Sequence, residues 1–347
     1  TTLGTTALIT QERINYLRYY SVDNAGNQEQ VKTAIIKIDK SSPVLTINPV
    51  VSPTSIPTQQ ISGTSYDTYS GLDLVTINGV PATISNNTYS GTVSLAEGEN
   101  IVTVIATDNL GHIASKNTSI FLDTVAPTTT SSFTSQDWQN SDITIELTCT
   151  DPSPGSGCLS VYYCIDTNNT CDPITPVSGP IIHSTEGIHY LRYKSIDNAG
   201  NEETIHSQIL KLDKTMPTIT DDYLYSGTWV NSNQIITLDP QDSLSGIKEV
   251  KYCLGANCEP SIILESPYQL SYSQDQDTVV RYQAIDNANN PSLISEFNVK
   301  IDTVAPTTTS SFTSQDWQNT DITIELTCTD SLVNGVASGC NKIYYCI

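Results

Sequence analysis

The sequence predicts an all-β chain of tandem small β-sandwich units, stapled by disulfides and arranged as beads on a rod. Three observations predict it. Apolar residues alternate with period two in ENIVTVIATD (99–108), HYLRYKSID (189–197) and TVVRYQAID (278–286), and no stretch keeps a 3.6-residue period through three turns. Whole sequence blocks recur along the chain. The 9 cysteines fall in short, patterned spacings.

The repeats set the unit boundaries. DTVAPTTTSSFTSQDWQNSDITIELTCTD (123–151) returns at 302–330 with one change, Ser141 to Thr320. NYLRYYSVDNAGNQEQ (15–30) matches HYLRYKSIDNAGNEET (189–204). Four marks read Asp-x-x-x-Pro: Asp39 to Pro43, Asp123 to Pro127, Asp213 to Pro217 and Asp302 to Pro306. Their spacing suits one small sandwich each. Proline lacks an amide proton for a central ladder, so each mark opens a first or edge strand. The units are 1–40, a C-terminal half; 41–124; 125–214; 215–303; and 304–347, an N-terminal half. A chain that opens and closes in mid-unit is expected to be a window onto a longer array.

Each unit closes through a turn at the same place: Asp23 to Asn27, Asp108 to His112, Asp197 to Asn201 and Asp286 to Asn290. The fourth turn position is Gly26, Gly111, Gly200 or Asn289, residue types that tolerate a left-handed backbone, so φ is expected to be positive there. A second mark lies early in each unit, where Asp67, Asp151, Asp242 and Asp330 each precede a spacer and Ser-Gly. The spacer varies in length, as a surface loop can.

The cysteines pair by co-occurrence. With units 125–214 and 215–303 in register, Cys149 and Cys158 become Pro240 and Ile247, lost together, while Cys164 and Cys171 persist as Cys253 and Cys258. This predicts Cys149–Cys158, Cys164–Cys171, Cys253–Cys258 and Cys328–Cys340. Cys346 is left over, its partner expected beyond the fragment; a free thiol or an intermolecular bridge is the alternative. Each short loop closed this way stabilises by roughly 2–3 kcal/mol in the loop-entropy picture.

Composition narrows the function. A net charge of −22 repels phosphate backbones and anionic headgroups, so neither nucleic acid nor membrane insertion is expected. Paired cysteines place the chain in an oxidising compartment, outside the cell or on its surface. The four histidines are scattered (His112, His183, His189, His206), and no nucleophile elbow, zincin motif or phosphate loop is present. No enzyme is expected.

These residues resemble the Ig-like tandem repeats of large bacterial and archaeal surface adhesins and fibre proteins. EGIHYLRYKSIDNAGNEE (186–203) followed by KLDKTMP (211–217) resembles the closing half of such a module, and SSFTSQDWQNSDITIELTCTD (131–151) the opening half. VTINGVPATI, LAEGENIVTVIATDNLG and FLDTVAP mark unit 41–124 as a sister type. The resemblance implies immunoglobulin-like sandwiches. It also implies calcium at domain junctions, which some such arrays hold.

Calcium needs several converging oxygens. The candidates are Asp39, Asp123, Asp213 and Asp302 at the boundaries, Asp23, Asp108, Asp197 and Asp286 at the turns, and Asp67, Asp151, Asp242 and Asp330 in the Ser-Gly loops. The competing reading is that these side chains cap turns. Trp138, Trp229 and Trp317 recur at one position, as packing residues or sugar platforms. Asn86, Asn117 and Asn168 head N-glycosylation sequons. The expected function is a non-enzymatic segment of a cell-surface filament or adhesin stalk, with neighbouring repeats or copies of itself as partners. Alternatives are spacer or carbohydrate-binding modules of a secreted hydrolase, an adhesin touching host or environmental glycans, and a subunit that polymerises head to tail by completing split domains.

Overall fold

The computed structural model describes residues 4–347, and all of its regular structure is β. Among the described residues, no helix is long and apolar enough to cross a membrane. In unit 41–124 one sheet orders Val44–Leu45, Thr58–Tyr66, Thr88–Ser94 and Thr83–Ser85. The facing sheet orders Ile113–Leu122, Gly98–Asp108, Leu72–Ile77 and Val80–Pro81. Lettered in chain order these are A-B-E-D against G-F-C with a short C′, the strand arrangement of an immunoglobulin sandwich. The period-two pattern puts Val102, Val104 and Ala106 of one strand inward onto Ile61, Tyr89 and Val93 of the other sheet.

Unit 125–214 repeats the plan. Thr128–Ser131 pairs with Leu147–Thr150, and Ile143–Ile145 with Ile181–His183. The other sheet orders Thr175–Pro176, Cys158–Asp166, Gly187–Asp197 and His206–Leu212. Its core gathers Ile143, Ile145, Leu191, Leu210 and Leu212. Unit 215–303 stacks Thr218–Asp221, Gln234–Gln241 and Gln269–Tyr272 on a five-stranded sheet that contains Gln276–Asp286 and Ser295–Ile301. Tyr282 and Phe297 lie in its core. The chain is therefore a run of disulfide-stapled, Ig-like β-sandwiches.

At either end lie partial sheets: the hairpin Arg13–Tyr19 with Lys32–Ile38, and Thr307–Ser310 with Leu326–Thr329. Here residues of core type are open. Leu17 is half-buried where its counterpart Leu191 is fully buried.

Three recurring details position the junctions. Each boundary proline leads directly into a first strand, at Val44, Thr128, Thr218 and Thr307. A short parallel contact ties the early part of each whole unit to its last strand: Thr54 to Leu122, Gln139 to Leu212 and Val230 to Ile301. The register of the C strand against the F strand shifts just after Gly71, Gly157 and Gly246. Such bulges re-aim the chain at a sheet end.

The structure joins Cys149 to Cys158, Cys164 to Cys171, Cys253 to Cys258 and Cys328 to Cys340, with Cα separations of 6.3, 6.2, 6.1 and 6.2 Å. Cys346 is exposed and free. An arginine braces two of the loops. Arg192 donates to the Cys171 carbonyl, 2.8 Å, and Arg281 to that of Cys258. Unit 41–124, without cysteines, has Thr103 at this position.

Gly63 marks the tightest point of unit 41–124. A Cβ there would run into the Thr46 carbonyl and the buried Tyr89 ring, whose hydroxyl donates to that carbonyl at 2.7 Å. Gly63→Ala should therefore destabilise this unit by about 1–3 kcal/mol through overpacking. Hydrogen exchange resolved by unit should show faster global opening in 41–124 and unchanged protection in 215–303.

Candidate metal and coupling site at the unit junctions

The boundary aspartates sit in a backbone-built socket. The amides of Asp123, Asp213 and Asp302 donate to Thr54, Gln139 and Val230 of their own units, at 3.0, 2.9 and 3.0 Å. Their carboxylates reach the other way. Asp39 accepts from the Ser70 amide at 3.0 Å, Asp123 from Ser156 at 2.7 Å, Asp213 from Ser245 at 3.0 Å and Asp302 from Ser338 at 2.7 Å. In each case the serine belongs to the Ser-Gly loop of the following unit. The second carboxylate oxygen caps the linker through Ser41, Val125, Thr215 or Val304.

The loop aspartates hold the same serine-glycine turn from inside. Asp67, Asp151, Asp242 and Asp330 accept from the amides of Gly71, Gly157, Gly246 and Gly339, at 2.8, 2.6, 2.6 and 2.6 Å. These glycines have φ of 84°, 87°, 79° and 82°, which explains the fixed Ser-Gly pair. The closing turns are capped alike: the Asp23, Asp108, Asp197 and Asp286 carboxylates accept from the amide four residues on. The fourth turn position has φ of 91°, 90°, 89° and 69° at Gly26, Gly111, Gly200 and Asn289.

The closing turn also reaches back across the boundary. Asn201 donates its side-chain amide to the Asp197 carboxylate at 2.7 Å and to the Asp123 carbonyl at 2.8 Å. Asn290 does the same with Asp286 and Asp213, both at 2.8 Å. In unit 41–124 the position is His112, whose Nδ1 lies 2.7 Å from Asp108. Asn198 and Asn287 complete the joint by donating to the carbonyls of the Ser-Gly loop.

Carboxylates consequently converge. Asp123, Asp151 and Asp197 offer oxygens within 4.8 Å of one another, as do Asp213, Asp242 and Asp286; at the first junction the group is Asp39, Asp108 and His112. Asp67 lies outside that group and caps its own loop. Asp302 and Asp330 face each other, and Asp23 caps a turn with no boundary aspartate beside it among the described residues. Asp123, Asp197, Asp213 and Asp286 are fully buried.

Turn-capping is thus real at every site, and it leaves something over. Burial, with the neighbouring charges of Asp123 and Asp197, pushes the Asp151 carboxyl above its ordinary range. Its Oδ1 is buried with no hydrogen-bond partner among the described residues, as is Oδ1 of Asp330. A buried anionic oxygen without a donor, facing other carboxylates, is the environment a hard divalent cation relieves. The donor set at the second and third junctions is all oxygen and fits calcium.

The other candidates are placed more simply. Asn86, Asn117 and Asn168 are exposed. Trp138 and Trp229 are half-buried, and Lys300 lies over the Trp229 ring, 5.6 Å from its centre. Trp317 is fully exposed. Two features escape a sequence reading. His183 and His189 meet, and Asn201 and Asn290 bridge units; the second had a signal in the shared final turn residue, the first only in the short spacing of the two histidines.

Comparison with known proteins places part of the chain. Residues 43–124 match the family model described as glucodextranase, domain B. No curated protein sequence matches significantly. Among solved structures, the chain is similar to a tetra-tandem repeat in the extending region of a large adhesion protein, at 18% identity, 84% of this chain, 83% of that one and a TM-score of 0.36. It is similar to a structure from a 1.5-MDa bacterial ice-binding adhesin at 16% identity, 76% and 99% coverage and 0.36. Fibronectin(III)-like modules of Clostridium thermocellum CbhA match at 17% identity, 50% and 94% coverage and 0.29.

The bridging asparagines and the shifted carboxylates each give a test. Asn290→Ala leaves a buried carboxylate oxygen and a carbonyl without their donor, and should cost unit 215–303 about 1–3 kcal/mol in denaturant unfolding. In acid, sign matters. Against the desolvation of burial, Ser156 and Val125 hold Asp123 below the ordinary 3.8. Its contribution is complete above that value and is lost as pH falls through the lower folded one. Asp151, raised, protonates earlier. In chelator, the NMR signal of the Gly157 amide should titrate above pH 3.8 and that of Ser156 below it.

Proposed function

We propose that this chain is a non-enzymatic extracellular spacer, a segment of a cell-surface filament or adhesin stalk. In this reading its Ig-like units are clamped in series by the boundary aspartates, with calcium among the junction carboxylates. One observation carries the reading: the same carboxylate-to-serine bond, from the last strand of one unit to the Ser-Gly loop of the next, occurs at Asp39, Asp123, Asp213 and Asp302. Repetition of a coupling device, rather than of a cleft, suits a protein whose task is to hold distance. The disulfides favour an oxidising exterior.

Asp123, Asp151 and Asp197 would hold the ion at the second junction, and Asp213, Asp242 and Asp286 at the third. Bound there, it would neutralise the excess negative charge and join two units through one set of ligands. The partners in this reading are neighbouring repeats. A second reading, modules accessory to a secreted carbohydrate-active enzyme, is favoured by the match of residues 43–124 to glucodextranase domain B.

Calorimetric titration of the full chain with calcium should show saturable binding, and chelator should lower its melting temperature. Asp151→Asn should remove binding at its junction while the disulfides and the sheet signal stay intact. No heat, with melting indifferent to chelator, would refute the calcium clamp. Retardation of the chain by a polysaccharide in affinity electrophoresis would favour the second reading over a bare spacer.

A further inference from the structure

Unit 125–214 contains a histidine pair that neither its core nor its junctions explain. His183 ends the strand Ile181–His183, and His189 lies near the start of Gly187–Asp197, which belongs to the opposite sheet. The turn between them folds the chain so that the two rings meet edge to face, 4.7 Å between centres. His183 is only 6% exposed. Its Nε2 and the Nδ1 of His189 are both buried, and neither has a hydrogen-bond partner among the described residues.

A buried imidazole nitrogen without a partner calls for an explanation, and here there are two at one place. A neutral imidazole has one bare nitrogen, and the unpartnered Nε2 of His183 and Nδ1 of His189 are free to present it to a metal ion. Two imidazoles on one ion, with metal–nitrogen bonds of about 2.0–2.1 Å, have ring centres about 5 Å apart. The observed separation needs little adjustment to meet this.

We propose that His183 and His189 form a two-imidazole site for a borderline divalent transition-metal ion, zinc or copper(II), which pins the two sheets of unit 125–214 together. Nitrogen donors select this class over calcium, which takes oxygen. The site is separate from the junction carboxylates and does not rest on their binding calcium. Asp142, whose charge bears on His183, is engaged by Lys214 at 2.8 Å, which leaves the two imidazoles as the protein's ligands.

The test uses the full, disulfide-intact chain in excess calcium, titrated with zinc chloride and followed through imidazole nitrogen and proton resonances. One equivalent of zinc should move His183 Nε2 and His189 Nδ1 together, before His206 or His112. Copper(II) should give an electron paramagnetic resonance spectrum with two equatorial nitrogens. His189→Gln, at a half-buried position, should weaken zinc binding at least tenfold with the sheet signal unchanged. The proposal is overturned if His183 and His189 stay unmoved at saturating zinc while His112 responds beside Asp39 and Asp108. It is equally overturned if His189→Gln leaves the affinity as it was.

Discussion

At Asp123, Asp213 and Asp302 the junction turns on one residue held from two sides. The amide of a boundary aspartate belongs to the sheet of its own unit, and its carboxylate belongs to a loop of the next. Backbone geometry therefore leaves little room for the joint to swing without breaking a charge-assisted hydrogen bond. The surrounding details follow from this demand. A proline starts the next strand at once, a glycine with positive φ presents the serine amide, and an asparagine closes the loop from the far side. Each element is ordinary alone; their spacing relative to the aspartate is what recurs.

Charge gathers where the joint is made. Capping a linker, a loop and a closing turn with one carboxylate each brings three carboxylates into one pocket of space at the second and third junctions. The side chains of Ser70 and Ser338, with backbone amides beside them, lower the pKa of some, as at Asp39 and Asp302. They do not serve all, and Asp151 is left with an oxygen that nothing donates to. The cores are built differently, from alternating aliphatic residues, buried tyrosines and short disulfide loops braced by arginine. The core of a unit and its coupling to the next thus draw on different residues, and Asn290 contributes to both the joint and the stability of its unit.

Most of the fold was legible because its signals are local. Period-two alternation in Gly98–Asp108 or Gly187–Asp197 shows which residues face inward, and a lost pair such as Cys149 and Cys158 points to a bond. The grouping of boundary, loop and turn aspartates was legible only as a coincidence of repeats, since three segments far apart in sequence must fold before their carboxylates meet. The sequence did not reveal that Asp67 would be left out while His112 took its place. That depends on where loop 67–71 sits relative to the closing turn. Nor did it reveal the contact of His183 with His189, because facing sheets place residues by packing rather than by pattern.

The central claim is that the boundary aspartates make successive units move as one. Residual dipolar couplings of the full chain, measured for units 41–124, 125–214 and 215–303 in a single aligned sample, test it most directly. The account predicts one alignment tensor shared by all three units, with Asp123→Ala splitting 41–124 from the other two. Three unrelated tensors in the unaltered chain would contradict it.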